Sequence, residues 1–227
     1  PLLKEWLGLA GYHCIECEGY EADDILGTLA HGADISGNTC VIATGDRDSL
    51  QLVSDSTRVL LTVTKMGHPE ITDYTKEKLF EDYGLTPPEM IELKSLMGDS
   101  SDNIPGVAGI GQKTATDLIT KYHSIDYIYD NLDSLDIKDG VKTKLAAGRD
   151  NAFLSRTLGT ISKEAPIDQN IDCYKIADAD KTALAATDFQ FHRVIVAKQS
   201  GQIQVVGFPH LFICEYPCLG SAAIFFM

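Results

Sequence analysis

Seven acidic residues fall in three short clusters: Glu21, Asp23 and Asp24 in GYEADD, Asp46 and Asp48 in TGDRD, and Asp99 and Asp102 in GDSSDN. Carboxylate oxygens are what hard divalent cations such as Mg²⁺ bind, and such ions keep several waters while bound. Acids brought from separate segments to one point could hold two ions about 4 Å apart across a phosphodiester. One ion would lower the pKa of a bound water to give hydroxide; the other would stabilise the leaving 3′ oxygen. Each cluster also has a plainer reading. Acids in a first helical turn are favoured by the helix dipole, Gly-Asp is a common turn, and an aspartate before a proline suits an Asx-turn. Yet three acids within four positions repel one another unless something positive sits among them. With every cluster at an element junction, the pattern predicts a shared site for a hard divalent metal ion such as Mg²⁺. The six histidines are scattered and offer no competing nucleophile–base set.

The elements that must position these acids alternate in the first third of the chain. Residues 2–10 carry apolar positions at helical spacing, and HCIEC (13–17) reads as a short strand. Ala22, Ile25, Leu26, Leu29, Ala30 and Ala33 form one helix face with a period near 3.6. TCVIAT (39–44) is a continuous apolar run, the mark of a parallel strand buried on both faces. RVLLTV (58–63) predicts another strand, and TKMGHPEI a hairpin turning on Gly67. This alternation implies an α/β layered core, and in open parallel sheets ligands bind beyond the carboxyl ends of the strands. Asp46 and Asp48 lie there. From Thr75 the pattern turns helical, with helices at about 75–83, 87–97, 111–122, 124–131, 138–147 and 149–157. Thr86 is an N-cap with Pro87 at the first helical position. The stretch 159–180 is acidic and irregular.

Directly after the third cluster comes IPGVAGIGQKTA. Gly106, Gly109 and Gly111 do not follow a strand and do not spell the dinucleotide fingerprint. A P-loop needs lysine where Gln112 stands, and Lys113-Thr114 comes one residue late. What remains is a tight turn between helices, with bare backbone N–H groups at a helix N-terminus, which is a ready anion site. The plainer reading is a helix-turn-helix connection that needs positive φ. Lys113, Lys121, Lys138, Lys142, Lys144 and Arg149 follow in one stretch and favour a phosphate grip.

The 227-residue chain has ordinary apolar content (44%) and charge content (23%) for a soluble globular protein, but a net charge of −14. Taken alone, that sum argues against nucleic acid, whose partners usually show a basic footprint. A carboxylate nest filled by cations inverts the local field, however. Six cysteines without a signal peptide suggest reduced thiols, and a strand would send Cys14 and Cys17 to opposite faces, which speaks against zinc. The start at Pro1 suggests a piece of something longer. The final GFPHLFICEYPCLGSAAIFFM has nearly the length of a membrane span, but two prolines and a carboxylate point instead to a poorly ordered or non-native tail.

GYEADDILGTLA, VIATGDRDSLQLVSD, ELKSLMGDSSDNIPGVAGIGQKTATDLI and FLSRTLGTI, in that order, resemble the 5′-nuclease (5′-3′ exonuclease) domain of bacterial DNA polymerase I, of the flap-endonuclease-like superfamily. The likeness covers about residues 1–195. It implies an α/β fold with a resolvase-like (PIN-like) three-layer core and a mostly parallel sheet. An α-helical helix-hairpin-helix (helix-three-turn-helix) subdomain follows. It divides the chain into a nuclease core at 1–95, a DNA-binding subdomain at 96–195 and an unmatched tail at 196–227. The core lacks the family's first strand, with its leading aspartate, and the helical arch. The resemblance implies Mg²⁺- or Mn²⁺-dependent hydrolysis of DNA at 5′ ends and 5′ flaps in replication and repair. Glu21, Asp23, Asp24, Asp46, Asp48, Asp99 and Asp102 match the metal ligands of a two-ion site, with Asp23, Asp24, Asp46 and Asp48 catalytic. Gly106, Val107, Gly109, Ile110, Gly111, Gln112, Lys113 and Thr114 match the DNA-holding hairpin, whose carbonyls also hold a monovalent cation, usually K⁺. The partners implied are duplex DNA with a 5′ end, nick or flap and a polymerase domain in the parent chain, with no membrane. The location implied is the bacterial cytoplasm, at the nucleoid.

Two other readings compete. A catalytically incomplete DNA-binding module would grip duplex through the glycine hairpin without cutting. A phosphatase- or primase-like fold would use similar acid pairs on nucleotides, but has no need of a duplex grip.

Overall fold

In the computed structural model, residues 2–65, 68–188, 195–199, 202–206 and 222–225 are described. The chain divides into two units, one comprising residues 1–47, 56–73 and 162–227, the other 48–55 and 74–161.

The first unit is α/β. It contains α1 (Leu2–Leu9), α2 (Ala22–Ile35), β1 (Cys40–Thr44), β2 (Thr57–Lys65) and most of β3 (His68–Tyr74). Its sheet runs in the order β3-β2-β1-β6, where β6 is Ala222–Phe225. β1 pairs in parallel with β2 on one side, Ile42 opposite Val59, and with β6 on the other, Ile42 opposite Ile224. A strand with parallel neighbours on both sides must be apolar throughout, which is why CVIAT suits this place. Of the α2 face expected from its period, Ile25, Leu26, Leu29, Ala30 and Ala33 are enclosed and Ala22 is exposed; Gly27, Thr28 and Gly32 are buried as well, so the helix is covered on more than that face. β4 (Ile195–Gln199) and β5 (Gln202–Val206) form a separate antiparallel pair. The turn expected at Gly67 lies outside the described residues, as do residues 207–221 of the tail. α9 (Lys181–Asp188) precedes β4.

HCIEC is not a strand. Residues 13–17 carry no regular structure. His13, Cys14 and Glu16 are exposed, and the segment is held by side chains instead. Glu16 pairs with Lys4, and the His13 ring meets the Lys175 carbonyl at 3.0 Å. Among the described residues, no strand offers this segment a ladder.

The second unit is helical: α3 (Lys76–Tyr83), α4 (Pro87–Met97), α5 (Gln112–Tyr122), α6 (Ile125–Asp130), α7 (Asp139–Ala147) and α8 (Arg149–Gly159). α4 starts at Thr86, whose N–H and hydroxyl both donate to Glu89 Oε2, at 2.7 and 2.8 Å. Leu93, Leu96, Val107, Ile110, Leu118, Ile119 and Leu145 make one continuous core. Among the described residues, no helix is long and apolar enough to cross a membrane.

Candidate active site

The first unit carries four of the seven acids. Glu21 is the N-cap of α2, and its N–H donates to Asp24 Oδ2 at 3.1 Å. The other oxygen of Asp24, Oδ1, accepts the Ser162 N–H at 2.8 Å. Asp24 therefore ties the start of its helix to a distant loop, and Thr28 continues that seam by accepting the Ala165 N–H at 2.9 Å. A carboxylate has about four lone-pair sites, so two backbone bonds leave Asp24 further acceptor capacity. Asp23 stands beside it in the same first turn. Asp46 follows β1, its N–H donating to Thr44 Oγ1 at 3.0 Å.

The second unit brings the other three together. Asp48 opens a 3₁₀ turn over Arg47–Leu52, and Asp99 and Asp102 flank the loop after α4. Asp99 and Ile104 exchange both backbone bonds, at 2.9 and 2.8 Å, which closes the loop. All three carboxylates meet the Lys94 ammonium. Nζ lies 2.8 Å from Asp102 Oδ2 and 3.3 Å from Asp99 Oδ2, and it is also hydrogen-bonded to Asp48 Oδ2. The lysine side chain is only 8% exposed. Burial on its own lowers its pKa; the hydrogen bonds to Asp102 and Asp48 outweigh that and hold it above the usual lysine range. The Ser101 hydroxyl and N–H hold the Asp99 carboxyl below the usual aspartate range, with Lys94 adding to the effect.

Among the described residues, no three His, Cys, Asp or Glu side chains are arranged, as they stand, to hold an ion. In the second unit a cation already sits on the carboxylates, because Lys94 occupies the point where they meet. A set made of carboxylate oxygens alone suits a hard divalent ion, and the ammonium stands in for one. These residues fit such an ion.

The glycine hairpin lies between α4 and α5. Val107 and Ile110 are buried in the core, 2% and 3% exposed, while Ala108, Gly109 and Gly111 are exposed. Gly106 has φ +58°, and a Cβ there would stand 2.3 Å from Gly98 N. Gly109, at the tip, has φ +78°. Gly111 caps α5 with no side chain to cover the N–H groups of Gln112, Lys113 and Thr114. The hairpin is braced from below: the buried Ser155 hydroxyl accepts the Gly106 N–H at 2.9 Å. Lys144 Nζ donates to the Gly109 carbonyl at 3.0 Å.

Sequence reasoning missed Lys94, Ser155 and Gln51. Gln51 acts as a clamp, donating to the Gly159 carbonyl at 2.9 Å and accepting the Ile161 N–H at 3.0 Å. For Lys94 a signal existed. It stands between Leu93 and Leu96 in a helix turn that is buried from Leu93 to Leu96, and a lysine so placed must be paired. Ser155 and Gln51 carry no such mark.

Residues 1–84 match the family described as 5′-3′ exonuclease, N-terminal resolvase-like domain, and residues 85–182 the 5′-3′ exonuclease, C-terminal SAM fold. DNA polymerase I of Caldicellulosiruptor bescii is 39% identical over 92% of this chain and 24% of its own length. That of Bacillus subtilis is 42% identical over 75% of this chain and 19% of its own length. The chain thus spans about a quarter or less of the curated relatives it matches. T5 5′-exonuclease, solved with divalent zinc bound, covers 76% of this chain and is itself covered over 59%, with TM-score 0.55 and 23% identity. The catalytic core of Rad2 in complex with DNA substrate covers 83%, is covered over 61%, and gives 0.57 at 18% identity. These likenesses place the fold: a resolvase-like α/β part with a helical SAM-like part.

Proposed function

This chain belongs to the 5′-3′ exonuclease family, and from that membership we propose that it is the nuclease part of a DNA polymerase I. Its reaction is divalent-metal-dependent hydrolysis of DNA phosphodiesters at 5′ ends and 5′ flaps, in replication and repair. The observation that carries the proposal is the meeting of Asp48, Asp99 and Asp102 on one buried ammonium, a few residues before a glycine hairpin. Mg²⁺ or Mn²⁺ supplies the Lewis acidity that makes a bound water nucleophilic near neutral pH. In the second unit, Asp48, Asp99 and Asp102 would hold it; in the first, Glu21, Asp23, Asp24 and Asp46 are the carboxylates proposed as ligands. Asp23, Asp24, Asp46 and Asp48 are proposed as catalytic.

The hairpin's part is to hold duplex. Gly106 makes the turn, Gly109 and Gly111 are exposed, and the first turn of α5 offers N–H groups and Lys113 to a phosphate. Val107, Ile110, Gln112 and Thr114 complete the proposed contact, with a K⁺ ion on the carbonyls. A nuclease core at 1–95, a DNA-binding subdomain at 96–195 and a bacterial cytoplasmic, nucleoid-associated location belong to the same proposal.

A second reading, a DNA-binding module that does not cut, is favoured by one fact: the hairpin and its supporting helices lie within a single unit. A 5′-labelled flap duplex separates the two. Mg²⁺- or Mn²⁺-dependent cleavage, lost in Asp24→Ala, supports the nuclease. Salt-sensitive binding without cleavage, unchanged by Asp24→Ala, supports the module. Absence of both overturns the proposal.

A further inference from the structure

Lys94 has a feature that a plain structural lysine does not need: three acidic partners on one buried ammonium. We propose that Lys94 is a resident counter-ion of the Asp48, Asp99 and Asp102 cluster, holding the carboxylates together in the metal-free protein, and that a divalent ion entering the cluster displaces it from at least one of them. This rests on the metal reading above and assigns a positioning residue to it.

The lysine stem is enclosed. It packs against Gly159, where an added Cβ would stand 3.4 Å from Lys94 Cδ, an ordinary van der Waals contact. Gln51 pins Gly159 and Ile161 in place, on the segment that begins with Asp48. The partners differ in exposure: Asp48 is 25% exposed, Asp99 28% and Asp102 50%. An ion from solvent therefore meets Asp102 first. Three carboxylates against one ammonium leave two negative charges, which one divalent ion neutralises. With the ammonium gone, three negative charges attract the ion, and no ammonium has to be displaced. The same change leaves three like charges crowded together in the metal-free protein.

Lys94→Met therefore moves two quantities in opposite directions: the metal-free protein melts lower, while Mn²⁺ binds more tightly. The gain is about tenfold or more, the scale of one unit charge acting over a few ångströms in a partly solvated site. Mn²⁺ binding is read by electron paramagnetic resonance and calorimetry on the site that Asp102→Asn removes. Lys94→Arg, which keeps the charge, should bind as the parent does. A lower melt with unchanged Mn²⁺ affinity overturns the inference in favour of a purely structural lysine; weaker binding overturns it in favour of a lysine that stays and helps the ion. If Lys94→Met does not fold, the ¹⁵N resonance of the Lys94 ammonium in the parent decides. It should move as Mg²⁺ fills the site, and a resonance that stays put while Mg²⁺ binds sinks the inference alone. No bound Mn²⁺ or Mg²⁺ in the parent overturns the metal reading itself, and this inference with it.

Discussion

The Ser155 hydroxyl, buried in α8, accepts the Gly106 N–H at 2.9 Å. This bond joins the helix that closes the second unit to the start of the glycine hairpin. Ser155→Ala leaves a buried N–H without a partner, at a cost of about 1–3 kcal/mol. Thermal unfolding should show a lower midpoint. Ser155→Cys, with a weaker acceptor, should fall between. An unchanged midpoint in Ser155→Ala would mean that water replaces the hydroxyl.

The hairpin glycines should divide by what surrounds them. A Cβ at Gly106 meets the backbone of Met97 and Gly98, which cannot move aside, at 2.3–2.7 Å. At Gly109 it meets the end of the Lys144 side chain, at 3.0 Å, which can. Both also carry the left-handed strain of about 1–2 kcal/mol. Gly106→Ala should therefore lose at least about 3 kcal/mol or fail to fold, and Gly109→Ala about 1 kcal/mol. Urea denaturation compares them. Gly109→Glu, folded but with an anion at the tip, should bind duplex DNA far more weakly than the parent at low salt. Equal binding would remove the hairpin from the DNA interface.

Much of this was legible in the chain. α2 and β1 follow from local pattern, one from its helical period and the other from its continuous apolar run. α4 was legible in the chain, since Thr86 and Pro87 signal its start and the helix expected at about 87–97 is found at Pro87–Met97. HCIEC misled, because a short segment becomes a strand only where a partner offers a ladder, and that is a long-range property. The acids announced themselves through spacing, yet their immediate partners did not. Asp24 receives Ser162 from 138 positions away, and Asp48 receives Lys94 from 46 away. Local pattern carries no record of such pairings. The 3₁₀ turn at Arg47–Leu52 was not read from the sequence either, although Leu50 and Leu52 are buried.

Asp24 has two tasks that a substitution series can separate. Its oxygens accept N–H groups from Glu21 and Ser162, whatever it does with metal. Asp24→Asn keeps one acceptor and should destabilise by about 1 kcal/mol; Asp24→Ala keeps neither and should lose about 2 kcal/mol, as loss of a cap and a buried bond would. Cleavage should vanish in both. Asn with full cleavage would leave Asp24 a structural residue only.

Cys40 gives the chain an alkaline weakness. It is 2% exposed on β1. Burial, with the Asp34 carboxylate adding to it, pushes its thiol up to about 12. The folded protein thus holds this proton more tightly than the unfolded chain, whose thiol titrates near 9. A group with a raised pKa contributes its full stability below the unfolded value, and the contribution drains away as pH climbs toward the folded one. The loss should begin near pH 9 and reach roughly 2 kcal/mol by about pH 10.5. Cys40→Ala removes this dependence at the expense of a small cavity, so the parent should be more stable at pH 7 and the gap should close as pH rises. Denaturant melts at stepped pH measure it. A gap that stays constant from pH 7 to about 10.5 would show that the thiol titrates normally in the folded chain, and that the strand holding it opens to water.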